Sequence, residues 1–179
     1  MKTIRTIALA LAVIIGGSIT TNAQQKIGYV DGEALVYLLP EIKDVQAKLD
    51  KYTKDTLDGQ LNRFVADYKE KDSVYKNPST VASVKQVLEK DLAQLGETIN
   101  NWQQIANQAY QSKQNQLLNP LFAKVRTAIQ AVAKEKAYAY ILSPEAIIVS
   151  PPGDDITKAV ADKLGVKIPE PGATPAATK

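Results

Sequence analysis

Lys76-Asn77-Pro78-Ser79-Thr80 is the stretch on which the fold turns, because helical periodicity runs long on both sides of it and stops there. Proline disfavours the helical conformation at the preceding Asn77, and Ser79 or Thr80 suits the N-cap of a new helix. The segment therefore reads as the tip, near 76–80, of a helical hairpin covering 41–119. Upstream, Pro40 sits at a helix start, where its missing N–H is tolerated. Ile42, Val45, Leu49 and Tyr52 then follow 3–4 spacing, and Leu57, Leu61, Phe64 and Tyr68 resume it after a one-residue slip in phase. Gly59 lies just past that slip. A helix-interior glycine costs about 1 kcal/mol relative to alanine, so Gly59 reads either as a bend or as a tolerated surface glycine.

Downstream the period is better defined. Val84, Leu95, Ala106, Leu117 and Ala128 are spaced by eleven, as are Leu88, Ile99, Tyr110, Leu121 and Val132. An eleven-residue repeat gives a nearly straight apolar stripe with slight right-handed drift. At 1.5 Å per residue each arm helix spans about 50–60 Å. Between Leu92 and Phe122 only Glu97 and Lys113 are charged, and Gln and Asn fill most polar positions. A coiled coil that selects one partner normally carries patterned charge at its flanking positions. Here the surface is polar but adaptable.

The flanks read as a small body made of residues 24–40 and 120–165. Lys26 to Asp31 alternates like a short strand ended by Asp31-Gly32, and Glu33 to Leu39 is a helical turn with Leu35, Leu38 and Leu39 inward. Asn119-Pro120 reads as a kink where the arm enters the body, since an internal proline costs about 3 kcal/mol. Helix resumes from Leu121 to Lys136, with Val125, Ala128, Ile129 and Val132 inward. Ala137 to Leu142 and Ala146 to Val149 read as two strands of a hairpin turned at Ser143-Pro144-Glu145. A last helix follows, capped by Asp154 or Asp155 and stopped by Gly165. Residues 166–179 read as a disordered tail.

The N-terminus predicts export. Lys2 and Arg5 precede a short apolar run, and Thr21-Asn22-Ala23 suits signal peptidase. A run this short does not span a bilayer, which needs about 20 residues, so 1–23 reads as a cleaved signal peptide rather than a retained anchor. With no cysteine near that site, lipid attachment there is not expected. Removing Lys2 and Arg5 lowers the net charge from +3 to +1. Such a balance offers no clustered basic excess for nucleic acid. The chain has no cysteine and no histidine. Disulfide staples are thus excluded, and the usual metal ligand and neutral-pH acid/base group are missing. No GxxxxGK[ST] sequence occurs, and no cofactor is expected. Asp154-Asp155 is read as a helix cap rather than a cation site, and Asp31 as a turn residue.

A 63-residue body is marginal by itself, since below roughly 70–80 residues folding usually needs staples, metals or partners. Oligomerisation is the remaining route. The expected fold class is α+β, mostly α: a small β body completed by oligomerisation, plus a long antiparallel helical-hairpin (coiled-coil) arm. Ile27, Tyr29, Val30, Tyr138, Tyr140, Ile141, Ile147 and Val149 are the candidate body contacts between copies.

This layout resembles the Skp (OmpH-like) family of periplasmic chaperones for outer-membrane proteins, from Lys26 to Val166. The resemblance is carried by Lys26-Ile27-Gly28-Tyr29-Val30-Asp31 with Ala34-Leu35, and by Asn119-Pro120-Leu121 with Val125, Ala128-Ile129 and Val132-Ala133. Tyr138-Ala139-Tyr140-Ile141-Leu142 and Asp155-Ile156-Thr157-Lys158-Ala159-Val160, closing on Leu164-Gly165, complete it. Their order and spacing together are specific. The resemblance implies a homotrimer with helical tentacles around a cavity. It also implies an ATP-independent holdase that captures unfolded outer-membrane β-barrel proteins and delivers them to the membrane or its insertion machinery. Family members are often strongly basic. This chain departs from that: Lys69, Lys71, Lys76, Lys85 and Lys90 near the tip are interspersed with Asp67, Glu70, Asp72, Glu89 and Asp91.

Tyr68, Tyr75, Trp102 and Tyr110, with Lys69, Lys71 and Lys76, are the candidate client-facing residues. Val84, Leu88, Leu95 and Ile99 read as the seam between the arm helices, and Trp102 as either seam or cavity lining. The tip lysines read more readily as an ordinary solvated face. Two other classes stand beside the holdase. A periplasmic structural or adaptor coiled coil would bind one folded partner and would not suppress aggregation of unrelated clients. An enzyme would need a constellation of reactive side chains that the sequence lacks.

Overall fold

The computed structural model describes residues 25–169; the signal-peptide segment and most of the proposed tail lie outside them. The fold is α+β and mostly α. Strand β1 (Ile27–Tyr29) leads into helix α1 (Gly32–Leu38), whose start is fixed by Asp31 Oδ1 accepting the Ala34 N–H at 2.8 Å. Asp31 is thus an N-cap. Helix α2 (Ile42–Tyr52) runs into a single π-helical stretch, Thr53–Asp58, and then α3 (Gly59–Lys76). A π stretch absorbs one extra residue. It is the physical form of the phase slip: Leu57 is returned to the apolar side and buried. Gly59 has ordinary helical dihedrals and open space where a Cβ would stand, so no bend is assigned to it.

Around the tip, Asn77 Oδ1 accepts the Ser79 N–H at 2.9 Å, and Thr80 Oγ1 donates to the Val74 carbonyl at 2.6 Å. Ser79 and Thr80 therefore close the outgoing helix rather than cap the returning one, whose N-cap is Val81 without a side-chain bond. Helix α4 (Ala82–Asn100) is separated from α5 (Trp102–Glu135) by Asn101 alone. The helix does not end at Asn119, since α5 continues through Pro120, the residue read as a kink. Proline's φ fits a helix, and its cost of about 3 kcal/mol is offset by burial of Leu118, Leu121 and Val125 beside it.

Ala137, at φ 54°, turns the chain out of α5. Strand β2 (Tyr140–Leu142) then pairs in parallel with β1, Ile27 opposite Tyr140 and Tyr29 opposite Leu142. The predicted hairpin is thereby overturned: Pro144–Ala146 is a 3-10 turn and Ile147–Val149 is not a strand. Alternating apolar residues make a strand only where a partner edge exists, and β1 takes the inner edge of β2. The other edge of β1 meets Asp155, with Ile156 N donating to Tyr29 O at 2.9 Å. Helix α6 (Thr157–Leu164) ends on Gly165 in the left-handed conformation, as read from the sequence. Its N-cap is Ile156; Asp155 Oδ1 does accept the Thr157 N–H at 2.8 Å. Val166 is buried and its N–H bonds Ala161 O, so the tail does not begin at 166.

The core gathers Leu35 and Val36 of α1, Leu39 at its C-cap, Val125 and Val132 of α5, and Val160 of α6. Val45, Leu49 and Leu118 join it, so the feet of the arm are structural parts of the body. Gly28 is required by close approach: a Cβ there would lie 2.7 Å from the Tyr138 ring and 3.2 Å from the Asp154 carbonyl. Gly28→Ala is expected to lower stability by about 1–3 kcal/mol, the usual cost of overpacking. Superimposable thermal melts of the two proteins would refute that.

An ion pair ties the arm's feet together. Glu41 Oε1 accepts from Lys124 Nζ, and this bond, with a further one from the backbone, holds the Glu41 carboxyl below its ordinary 4.5. A depressed carboxyl stabilises the fold above its unfolded pKa, and that contribution fades as pH falls through the folded value. Glu41→Gln is expected to flatten the pH dependence of the melting temperature below about pH 5. An unchanged acid limb would discount the pair.

Candidate functional site

Helices α3 and α4 pack along one another with no fully buried side chain on either. Their seam is made of half-buried residues: Leu61, Phe64, Tyr68 and Tyr75 on one side, Leu88, Leu95 and Ile99 on the other. Val84 is exposed and falls outside the seam. Tyr68 covers the place a side chain would occupy at Gly96, 3.7 Å from its Cβ position. Nine of the ten residues of the eleven-spaced stripe are buried or half-buried, Val84 being the exception.

Trp102 is 9% exposed, its ring edge-on to Phe64 with centroids 5.6 Å apart. It stands at the joint where the π stretch of one helix faces the Asn101 interruption of the other. A recess of about 430 Å³ there is lined by Leu57, Leu61, Trp102 and Tyr110 among others. Of the two readings of Trp102, seam or cavity lining, its packing in the single subunit fits the seam. Tyr110 is half-buried against the core. Tyr75 is half-buried beneath the Lys85 ammonium, 5.9 Å from its ring centroid.

The tip lysines differ from one another. Lys71 Nζ bonds Asp91 across the hairpin at 2.6 Å, and that bond raises its pKa. Lys76 bonds Asp72 at 2.7 Å with the same consequence. Lys69 is exposed. Internal pairing thus neutralises part of the positive charge counted from the sequence. Further down, Asn100, Gln104 and their neighbours form a concave uncharged surface of about 400 Å³.

On the body, Val30 is buried, and Tyr29, Tyr138, Ile141 and Ile147 are half-buried. Tyr138 lies under the Lys26 ammonium at 4.1 Å. Ile27 and Tyr140 are 48% and 55% exposed, and Val149 is 88% exposed. Sequence reading missed Phe122, Leu142 and Ile148, all exposed and apolar, the last with 101% of its reference area open. Among the described residues no strand pairs the outer edge of β2. Beside it lies a recess of about 600 Å³ walled by Val30, Phe122, Ile129 and Ile141, with Arg126 and Glu145 at its rim. The described residues hold no cluster of three or more potential metal ligands, and no helix among them is long and apolar enough to cross a membrane.

Three comparisons agree with this architecture. The family described as outer membrane protein (OmpH-like) matches residues 26–164. The chaperone protein Skp of Pectobacterium atrosepticum is 24% identical over 159 residues, covering 88% of this chain and 96% of the relative. A solved OmpH-like outer membrane chaperone from Caulobacter crescentus superposes with a TM-score of 0.51 at 21% identity, over 78% of this chain and 83% of its own. That structural likeness concerns the fold.

Proposed function

Because the chain belongs to the OmpH-like outer membrane protein family, we propose that it is an exported, periplasmic, ATP-independent holdase for unfolded outer-membrane β-barrel proteins. The observation that carries the reading is a hairpin arm with no fully buried residue in α3 or α4, rooted in a body that holds the core. Such an arm contributes little to the stability of its own subunit. Its surface is available to other chains.

Holding an apolar chain in water without trapping it sets the energetic requirement. Permanent burial at about 25 cal/mol per Å² would make release slow. Several arms, each making weak contacts, give avidity while every contact stays reversible. Release then needs only a more favourable destination, the membrane or its insertion machinery. Chemistry and nucleotide are not required.

The assembly proposed is a homotrimer. Tyr140 and Leu142 of β2 are exposed, as are Ile148 and Val149 a few residues on, and among the described residues no strand covers the second edge of β2. An exposed apolar sheet edge is a template for pairing, and copies of the chain are its natural complement. Sedimentation equilibrium is expected to return about three times the protomer mass, and a stable folded monomer would end the proposal. Suppression of aggregation tested on several unrelated unfolded barrel proteins separates holdase from adaptor, since an adaptor protects none of them.

A further inference from the structure

The uncharged surface at the arm's joint has a chemistry of its own. Helix α4 ends at Asn100 and α5 begins at Trp102, with Asn101 between them at φ −90° and ψ 2°. That interruption sets Asn100 and Asn101 beside Gln103 and Gln104. The concave face continues one turn on through Asn107 and Gln108 and ends at Gln111. Every lining side chain is a carboxamide, and all of them are exposed. Residues 98–112 carry no charge. Among the described residues no side-chain hydrogen bond occupies these amides; the nearest ones use Thr98 and Lys113, on either side.

A carboxamide offers donors and an acceptor on one neutral group. Phosphates, carboxylates and ammonium groups would find no counter-charge here. A sugar ring would find no aromatic side chain on the concave face itself: Trp102 is packed on Phe64, and Tyr110 lines the adjoining recess that shares Gln103 and Asn107. The neutral ligand group with the same donor-and-acceptor pairing is the peptide unit itself. We propose that this surface takes the main chain of an extended, unfolded polypeptide, its carboxamides pairing with unpaired backbone N–H and C=O groups. The proposal rests on the holdase reading and names what that holdase grips.

The geometry explains why such a grip is weak and general. Same-side groups of a strand repeat at about 6.6–6.8 Å, whereas the helix repeats at about 5.4 Å. The flexible amides follow the strand for a turn or two and then lose register. Few bonds form at once, and none reads a client side chain. A strand edge, which otherwise invites aggregation, is covered without regard to sequence.

The test uses the full-length chain with Gln104, Asn107, Gln108 and Gln111 all changed to Ala. Alanine is the best helix former, so the arm is expected to keep its circular dichroism. The probes are a fluorescent Ser/Thr/Val peptide and the same peptide N-methylated at alternate residues, which removes main-chain donors. The parent protein is expected to bind the methylated peptide about tenfold more weakly, the size of one or two lost hydrogen bonds, while the variant binds both alike and weakly. Equal binding of the two peptides by the parent overturns the proposal. So does a variant that loses binding to a soluble oligosaccharide but keeps the peptide. Aggregation suppression, measured in parallel, separates the two levels. If the parent protects no unfolded barrel protein, the holdase reading fails while the peptide pair still decides the surface. If parent and variant protect equally, the main-chain grip alone fails.

Discussion

Replacing residues 60–100 with a short Gly/Ser linker is expected to leave the oligomer intact and to remove most of the suppression of barrel-protein aggregation, what is left being held by the carboxamides from Asn101 to Gln111. None of the fifteen buried residues of the core cluster falls in that span; they lie at Val30–Leu49 and Leu118–Val166. What the deletion removes is the half-buried seam and the tip, plus Phe64 against Trp102. Loss of that aromatic contact is worth about 0.5–1.5 kcal/mol beyond the area exposed, which loosens the joint but leaves the body packed. Analytical ultracentrifugation and light scattering of an unfolding barrel protein give the two readouts. A shortened protein that protects its clients as well as the parent would place binding outside residues 60–100.

The second large effect is expected from Ile148→Asp combined with Val149→Asp. Both side chains are open to solvent in the single subunit, at 101% and 88% exposure. Carboxylates there cost an isolated fold nothing. If copies of the chain cover this strip, each carboxylate must be taken out of water at several kcal/mol, repeated in every subunit. The double variant is then expected to sediment as a monomer and, lacking its partners, to unfold at lower temperature. A variant that keeps the parent's mass would move the interface elsewhere on the body. Ser150 changed in the same way is the control, since its half-buried polar side chain makes no apolar strip.

The arm was legible because its signals are local. Asn77-Pro78 marks the turn wherever it is put, and the five-residue step from Tyr52 to Leu57 carries its own π stretch. The eleven-residue stripe likewise needs only one helix face. Gly165 could be placed because a left-handed residue at a helix end favours glycine. The β body was less legible. Alternation at Ala146–Val149 looks identical whether the partner strand is a neighbour, a distant segment or another copy, and here the true partner of β2 is β1. Asn101 broke the returning helix without the glycine or proline that usually announces a break. At Pro120 the helix runs on past the boundary read there, burial on both sides outweighing a strong local signal. Within the candidate site, aromatic residues on an uncharged helix suggested open contact, yet Trp102 is enclosed by Phe64 at the joint. Only the partner helix, which brings Phe64 against Trp102 from the far limb of the hairpin, decides which aromatics stay open.

The parallel pairing of β1 with β2 has a temporal consequence. The first strand reaches its destination early, but its mate lies over a hundred residues later, beyond both limbs of the hairpin. Local helices form in microseconds or less, whereas contacts between distant positions wait for the whole intervening loop to close. On the oligomeric reading, a nascent or truncated molecule would carry its limbs on an unfinished root, and completion of the last strand would be the checkpoint for assembly.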